Sequence, residues 1–261
     1  MDWRLIVHGP ADGASNMAID EALFQGVQAG GRPVLRLYRW NPSCLSLGRN
    51  QPALGALDPR TAAARGIDIV RRPTGGLAVY HDRELTYAAL LPAGRFGRPR
   101  ATYGMLHRAI AAGMRDLGVT ADVAQATTQR PRALHTAALS SHPCFDTTAP
   151  GEVLVRGRKL VGSAQRCEGR TILQHGSILI ESGQVVVAEL LNGEARATAA
   201  IGLADVLGRV PDVDALQDAV VHGFTSECRI TFERSDLEHH EQCRAAMLAE
   251  RYRSDAWTWR R

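Results

Sequence analysis

The sequence predicts an α+β, mixed-sheet fold, and three observations carry that prediction. Short alternating segments that read as strands are interleaved with amphipathic helical segments, without a regular βαβ rhythm. No repeat and no linker-like stretch divides the 261 residues, so one domain spanning 1–261 with a large core is expected. The chain is 45% apolar and 22% charged, an ordinary balance for a globular protein.

The elements follow in chain order. "SNMAIDEALFQGV" (15–27) reads as a helix, with Ser15 or Asn16 as cap and Ala18, Ile19, Ala22, Leu23 and Val27 on one stripe. "PVLRLYRW" (33–40) alternates as a strand does, and "CLSLGRN" follows the Asn41-Pro42 turn signal. "GIDIVRR" (66–72) is a short strand that leads through paired glycines to the strand-like "ELTYAALL" (84–91). A helix is expected over 101–117, where Leu106, Ala109, Ile110, Met114 and Leu117 recur and Gly118 stops the run. Residues 120–150 are the least regular part, a long polar loop of the kind that more often carries function. "EVLVRGRKLVGSAQR" reads as a hairpin turning at Arg156-Gly157-Arg158, and "ILQHGSILIE" (172–181) as a further strand. From about 184 the chain is helical in character, with candidates at 213–223 and 235–252.

Composition narrows the function classes. The N-terminus lacks a basic region followed by an apolar run, so no signal peptide is expected. No stretch approaches 18 apolar residues, which argues against a membrane span. The five cysteines form no zinc spacing, so neither a metal site nor a disulfide framework is expected, and a reduced, cytoplasmic setting fits. A net charge of +4 with 5% aromatics gives no basic stripe for nucleic acid. It suits an acidic partner better.

Four segments can carry chemistry. In "RRPTGGLAVYHD", Gly75 and Gly76 allow a ligand close to the backbone, Arg71 and Arg72 offer charge, and His81 offers a titratable ring. In "HPCFD", Cys144 sits in the irregular loop with His142 and Asp146 beside it, whereas packing is expected to explain Cys44, Cys167, Cys228 and Cys243. Lys159 is the single lysine among 31 basic residues. Strict alternation would place Lys159, Val161, Ser163 and Gln165 on one face, with Leu160, Gly162 and Ala164 on the other. A lysine at a strand edge often only blocks edge pairing, but this chain uses arginine for such duty. Lysine offers instead a compact ammonium. In "QHGSILI", His175 is either a pocket residue or, the reading favoured slightly, a satisfied core histidine; Gly176 follows it.

Together, "NMAIDEAL", "PVLRLYRWNPSCLSLGRNQ", "RRPTGGLAVYHDRELTYAALL", "PCFD", "GRKLVGSAQR" and "ILQHGSILI" resemble, in order, the biotin/lipoate ligase and octanoyltransferase superfamily, and the closing "LAERYRSDAWTW" is also similar. The resemblance implies that family's catalytic-domain fold, with mixed, largely antiparallel sheets flanked by helices. Within the superfamily the "PCFD" cysteine resembles the nucleophile of the ligase-like octanoyltransferases, and little length is left for an accessory domain. The resemblance therefore implies octanoyl transfer from acyl carrier protein through a thioester on Cys144 to a lysine of a lipoyl-domain protein, such as the glycine cleavage H protein or a 2-oxoacid dehydrogenase E2. It places the family's lysine at Lys159 and the substrate at Arg71, Arg72, Gly75, Gly76, His81, Ser163, Ala164, Gln165, His175 and Gly176. It implies no cofactor and no metal. One departure is Leu77, where relatives often have glycine or a basic residue. Competing readings are an ATP-dependent lipoate ligase, an octanoyl amidotransferase between lipoyl domains, and a non-catalytic module that binds carrier domains.

Overall fold

The computed structural model describes residues 2–53, 57–125, 145, 149–191 and 199–260. In chain order these form β1 (Asp2–Ala11), α1 (Gly13–Gln28), β2 (Val34–Trp40), β3 (Cys44–Leu47), α2 (Pro59–Ala64), β4 (Asp68–Arg71), β5 (Val79–His81), β6 (Glu84–Pro92), α3 (Pro99–Met114), β7 (Asp122–Val123), β8 (Val153–Val155), β9 (Arg158–Glu168), β10 (Thr171–Leu179), α4 (Val185–Leu190), α5 (Leu203–Leu207), α6 (Val213–Cys228), β11 (Thr231–Arg234), α7 (His239–Arg253) and α8 (Asp255–Thr258). Among the described residues no helix is long and apolar enough to cross a membrane.

Eight strands make one sheet in the order β11-β1-β2-β6-β10-β9-β8-β7. The β11–β1 and β1–β2 pairs are parallel and the other five are antiparallel, so the mixed, largely antiparallel sheet is as expected. Both faces are covered, which explains why β6 reads as a nearly continuous apolar run. Leu85, Tyr87, Ala89 and Leu91 pack toward α3 and α6, with Leu106, Ile110, Met114, Val220 and Phe224. Ala88 and Leu90 pack toward α1 and α7, with Met17, Leu23, Phe24, Ala249 and Tyr252. A second sheet, β4-β3-β5, lies over the first with its own cluster around Leu45, Leu47, Ile67 and Ala78.

The helix of α3 ends through a 3-10 turn at Arg115–Leu117 and stops at Gly118, which adopts φ 76°. The β8–β9 hairpin turns on Arg156 and Gly157, both at positive φ, between the paired Val155 and Arg158. Two strands lack a clear sequence signature. β1 buries Trp3 and Leu5 on one face and Ile6 on the other, so its pattern does not alternate cleanly. β11 is an edge strand with mostly exposed residues, and it exists through its parallel register with β1 (Asp2 opposite Thr231).

Candidate active site

A slot with about 430 Å³ of atom-free space, counting its mouth, lies between the two sheets. The large sheet contributes Tyr38, Trp40, Thr86, Gly162, Ser163, Ala164, His175, Gly176 and Ser177; the small sheet and the glycine turn contribute Ser46, Arg72, Gly76, Val79 and His81. Met17 of α1 closes the wall. The lining combines an apolar body with a few polar groups, as small-molecule sites do. The sequence-predicted Arg72, Gly76, His81, Ser163, Ala164, His175 and Gly176 thus come together, though they span more than 100 residues of chain.

Two imidazoles in this wall are locked by the same construction. His81 Nδ1 lies 2.8 Å from Glu84 Oε1 and its Nε2 lies 2.7 Å from Ser46 Oγ, while its ring stacks on Trp40 at 4.1 Å. His175 Nδ1 lies 3.0 Å from Asp20 Oδ2, and its Nε2 lies 2.6 Å from Thr74 Oγ1. A carboxylate accepts only, so each Nδ1 carries a proton, and because burial keeps the His175 ring neutral its Nε2 accepts from the Thr74 hydroxyl. Asp20 also takes Arg36 at 2.7 Å and the Tyr38 hydroxyl at 2.9 Å. Burial alone would raise the Asp20 carboxyl, but the His175 hydrogen bond and the Arg36 charge hold it below its usual range. Burial lowers the His175 imidazole against the opposing pull of Asp20. His175 is therefore both a satisfied core histidine and a wall of the slot. Its role on the core side ties the "PTGG" turn to α1.

Lys159 stands beside this wall and is only 1% exposed. Its Nζ lies 2.6 Å from Glu152 Oε1 and 5.1 Å from the centre of the Phe145 ring. The expected grouping of Lys159 with Ser163 and Gln165 does not hold. Val153 pairs with Val161 but Leu154 pairs with Lys159, so Leu160 is an extra residue in β9. Such a bulge resets the alternation of side chains. Lys159 accordingly shares a side with Gly162, where a Cβ would meet Lys159 Cε at 3.4 Å and Phe145 Cζ at 2.8 Å. Ser163 points the other way, with Oγ 2.7 Å from His107 Nε2 and 2.8 Å from the Tyr87 hydroxyl. Cys144, with His142 and Asp146, lies outside the described residues.

Residues 12–225 match the model of the lipoyl protein ligase A/B catalytic domain. The chain belongs to this family. The octanoyltransferase LipM of Kyrpidia tusciae is 36% identical over 273 residues, covering 99% of each chain. The octanoyltransferase LipM of Symbiobacterium thermophilum is 37% identical over 285 residues, covering 100% of this chain and 99% of its own. Among solved structures, a lipoate-protein ligase A bound with ATP superposes with a TM-score of 0.81 at 21% identity over 99% of both chains. A bipartite lipoate protein ligase of Thermoplasma acidophilum gives 0.78 at 22% identity, covering 99% of this chain and 96% of its own. These structures establish a shared fold.

In this lipoyl protein ligase-type domain the other predicted residues lie around the slot without lining it. Arg71 is fully buried and donates to the carbonyls of Gly48 and Gln51 at 2.7 Å and of Thr258 at 2.9 Å, which binds α8 to the loop after β3. Gly75 accepts from Arg72, whose guanidinium also reaches Ser46 and the Leu77 carbonyl. Leu77 thus enters the site through its backbone. Gln165 faces α3 and bonds Gln174 at 3.0 Å and the Pro99 carbonyl at 3.1 Å. Packing explains Cys44 and Cys228, which are buried, but not Cys167 and Cys243, which are exposed. Asp20, Ser46, Glu84, His107 and Glu152 carry no sequence signal for a role beyond their polarity within apolar runs. A buried polar residue needs a partner; those of Asp20, Ser46 and His107 are far away in the chain, whereas Glu84 meets His81 and Thr86 close by and Glu152 meets Lys159 across the β8–β9 hairpin.

Proposed function

We propose that this protein is an octanoyltransferase of lipoate assembly, which moves an octanoyl group from acyl carrier protein onto a lysine of a lipoyl-domain protein through a thioester on Cys144. The seat of Phe145 carries this reading. Phe145 is the residue bonded to Cys144 in the chain, and it is fully buried against Lys159 and behind Gly162, which lines the slot. The relatives named octanoyltransferase, similar over nearly their whole length, support it independently.

The chemistry has two balanced steps. The Cys144 thiolate attacks the carrier's thioester carbonyl, a new S–acyl bond forms, and the carrier thiolate leaves and takes a proton. The neutral amine of the acceptor lysine then attacks the acyl-enzyme, an amide forms, the amine gives up a proton, and the Cys144 thiolate is restored. A free thiol titrates near ~8.5 and is only a few per cent thiolate at neutral pH. The Lys159 ammonium favours the thiolate and polarises the carbonyl. The slot holds the acyl chain, each buried methylene contributing about 0.8 kcal/mol. The net charge of +4 suits acidic carrier domains.

Incubation with octanoyl carrier protein and a lipoyl domain, without ATP, tests the reading. Mass spectrometry should find octanoyl on Cys144 and then on the acceptor, and neither in Cys144→Ala. Acyl groups on another cysteine, or transfer only when ATP is added, would overturn it.

A further inference from the structure

Lys159 is held by Glu152, and Glu152 is held from several directions. Its Oε2 accepts from the Ala149 amide at 2.7 Å, its carbonyl accepts from Ala124 at 2.8 Å, and its amide donates to Ala149. The preceding Gly151 donates to the Ala124 carbonyl at 2.7 Å and accepts from His107 Nδ1. Gly151 has φ +95°, and a Cβ there would lie 3.2 Å from the Tyr103 ring. Only glycine fits this turn without strain.

The His107 ring is oriented by a chain of hydrogen bonds on the face of the sheet opposite the slot. Gln165 donates to Gln174, and Gln174 Nε2 donates to the Tyr87 hydroxyl at 2.9 Å. The Tyr87 proton is therefore free to go to Ser163 Oγ, and the Ser163 proton to His107 Nε2. A carbonyl only accepts, so His107 Nδ1 must carry the proton given to Gly151. Each donor has one place to go. Gly176, between Tyr87 and Ser163 in the sheet, leaves the gap through which the two hydroxyls meet.

We propose that His107 and Glu152 are positioning residues: His107 fixes Gly151, and through it Glu152 sets the place of the Lys159 ammonium. The inference rests on the reading of Lys159 given above for its activity readout, and on geometry for the rest. Asparagine can reproduce the Nδ1–H donation to Gly151, whereas glutamine reproduces only the contact of Nε2 with Ser163. The two substitutions therefore separate the bond that positions from the bond that orients.

The single lysine makes the test direct. Lysine-selective ¹³C labelling yields one Lys Cε resonance. It should move in Glu152→Gln and in His107→Gln, and stay near the wild-type position in His107→Asn. Single-turnover octanoyl transfer should fall on the order of 10²-fold in the first two, the scale of a misplaced reacting group, and largely persist in the third. Equal behaviour of the His107 variants, or a resonance that moves in neither Glu152→Gln nor His107→Gln, would overturn the proposal. A resonance that moves as expected in an enzyme whose wild type transfers no octanoyl would uphold the positioning and sink the proposed function instead.

Discussion

At the scale of single residues, the choice of lysine at 159 has a spatial explanation. Its side chain is enclosed by Glu152, Phe145 and Gly162. An ammonium is a compact charge, whereas a guanidinium is planar and needs a wider opening. Lys159→Arg should keep the charge yet slow acyl-enzyme formation on the order of 10²-fold or more, read by quenched-flow mass spectrometry. Normal acylation in that variant would mean that charge alone suffices. Titration of His107 belongs to the same scale. Burial, despite the bond to the Gly151 carbonyl, lowers its imidazole from 6.5 to about 4, with the Lys159 charge adding to the shift. Between those values the unfolded chain binds a proton that the folded protein refuses. This contribution is thus complete above pH 6.5 and declines as pH falls toward 4, by about 3 kcal/mol in all. Denaturation midpoints should drop across that window, and His107→Asn, which cannot titrate, should flatten the drop. An unchanged slope would show that other groups govern acid lability.

At the scale of elements, the central β6–β10–β9 ladder works as a partition with different chemistry on its two faces. One face carries Thr86, His175 and Ser177 into the slot; the other carries Tyr87, Gln174 and Ser163 toward α3. Gly176 permits the second network, because a Cβ there would sit 2.1 Å from Ser163 Oγ and 2.7 Å from the Gly162 carbonyl. Gly176→Ala should therefore destabilise the fold by about 1–3 kcal/mol, the usual range for overpacking. Urea denaturation followed by circular dichroism would measure it. A midpoint equal to the wild type would mean that the ladder yields more easily than its close contacts imply. The bulge at Leu160 is the other decisive element feature, since it turns Lys159 to the side of Gly162.

At the scale of the whole molecule, the slot depends on the second sheet being pressed against the first. Among the described residues, two long-range connections cross between the sheets, and a third braces the small sheet against α8. His175 joins Thr74 of the turn to Asp20 of α1. The stack of His81 on Trp40 joins β5 to β2. Arg71 joins β4 to the carbonyl of Thr258 near the C-terminus. Closing the chain, the parallel pairing of β1 with β11 and the ion pair of Arg4 with Glu241 at 2.6 Å tie residues more than 220 positions apart.

Much of this was legible in the linear sequence. Periodicity located α1 and α3 because those helices show a local pattern of 3.6 residues, and the turn at Arg156-Gly157-Arg158 located the β8–β9 hairpin. The motifs around Gly76, His81 and His175 marked residues that do line one slot, and Lys159 lies behind Gly162 of its wall. Other features were decided by tertiary structure alone. β11 exists only through its neighbour, and a one-residue bulge has no compositional trace. The partners Asp20, Glu152 and His107 acquire meaning when packing removes water and leaves buried polar groups to find their bonds within the protein. Sequence alone determined which chemical groups are available. Folding decided which of them share a face, because that depends on register, and register is a property of strands in contact.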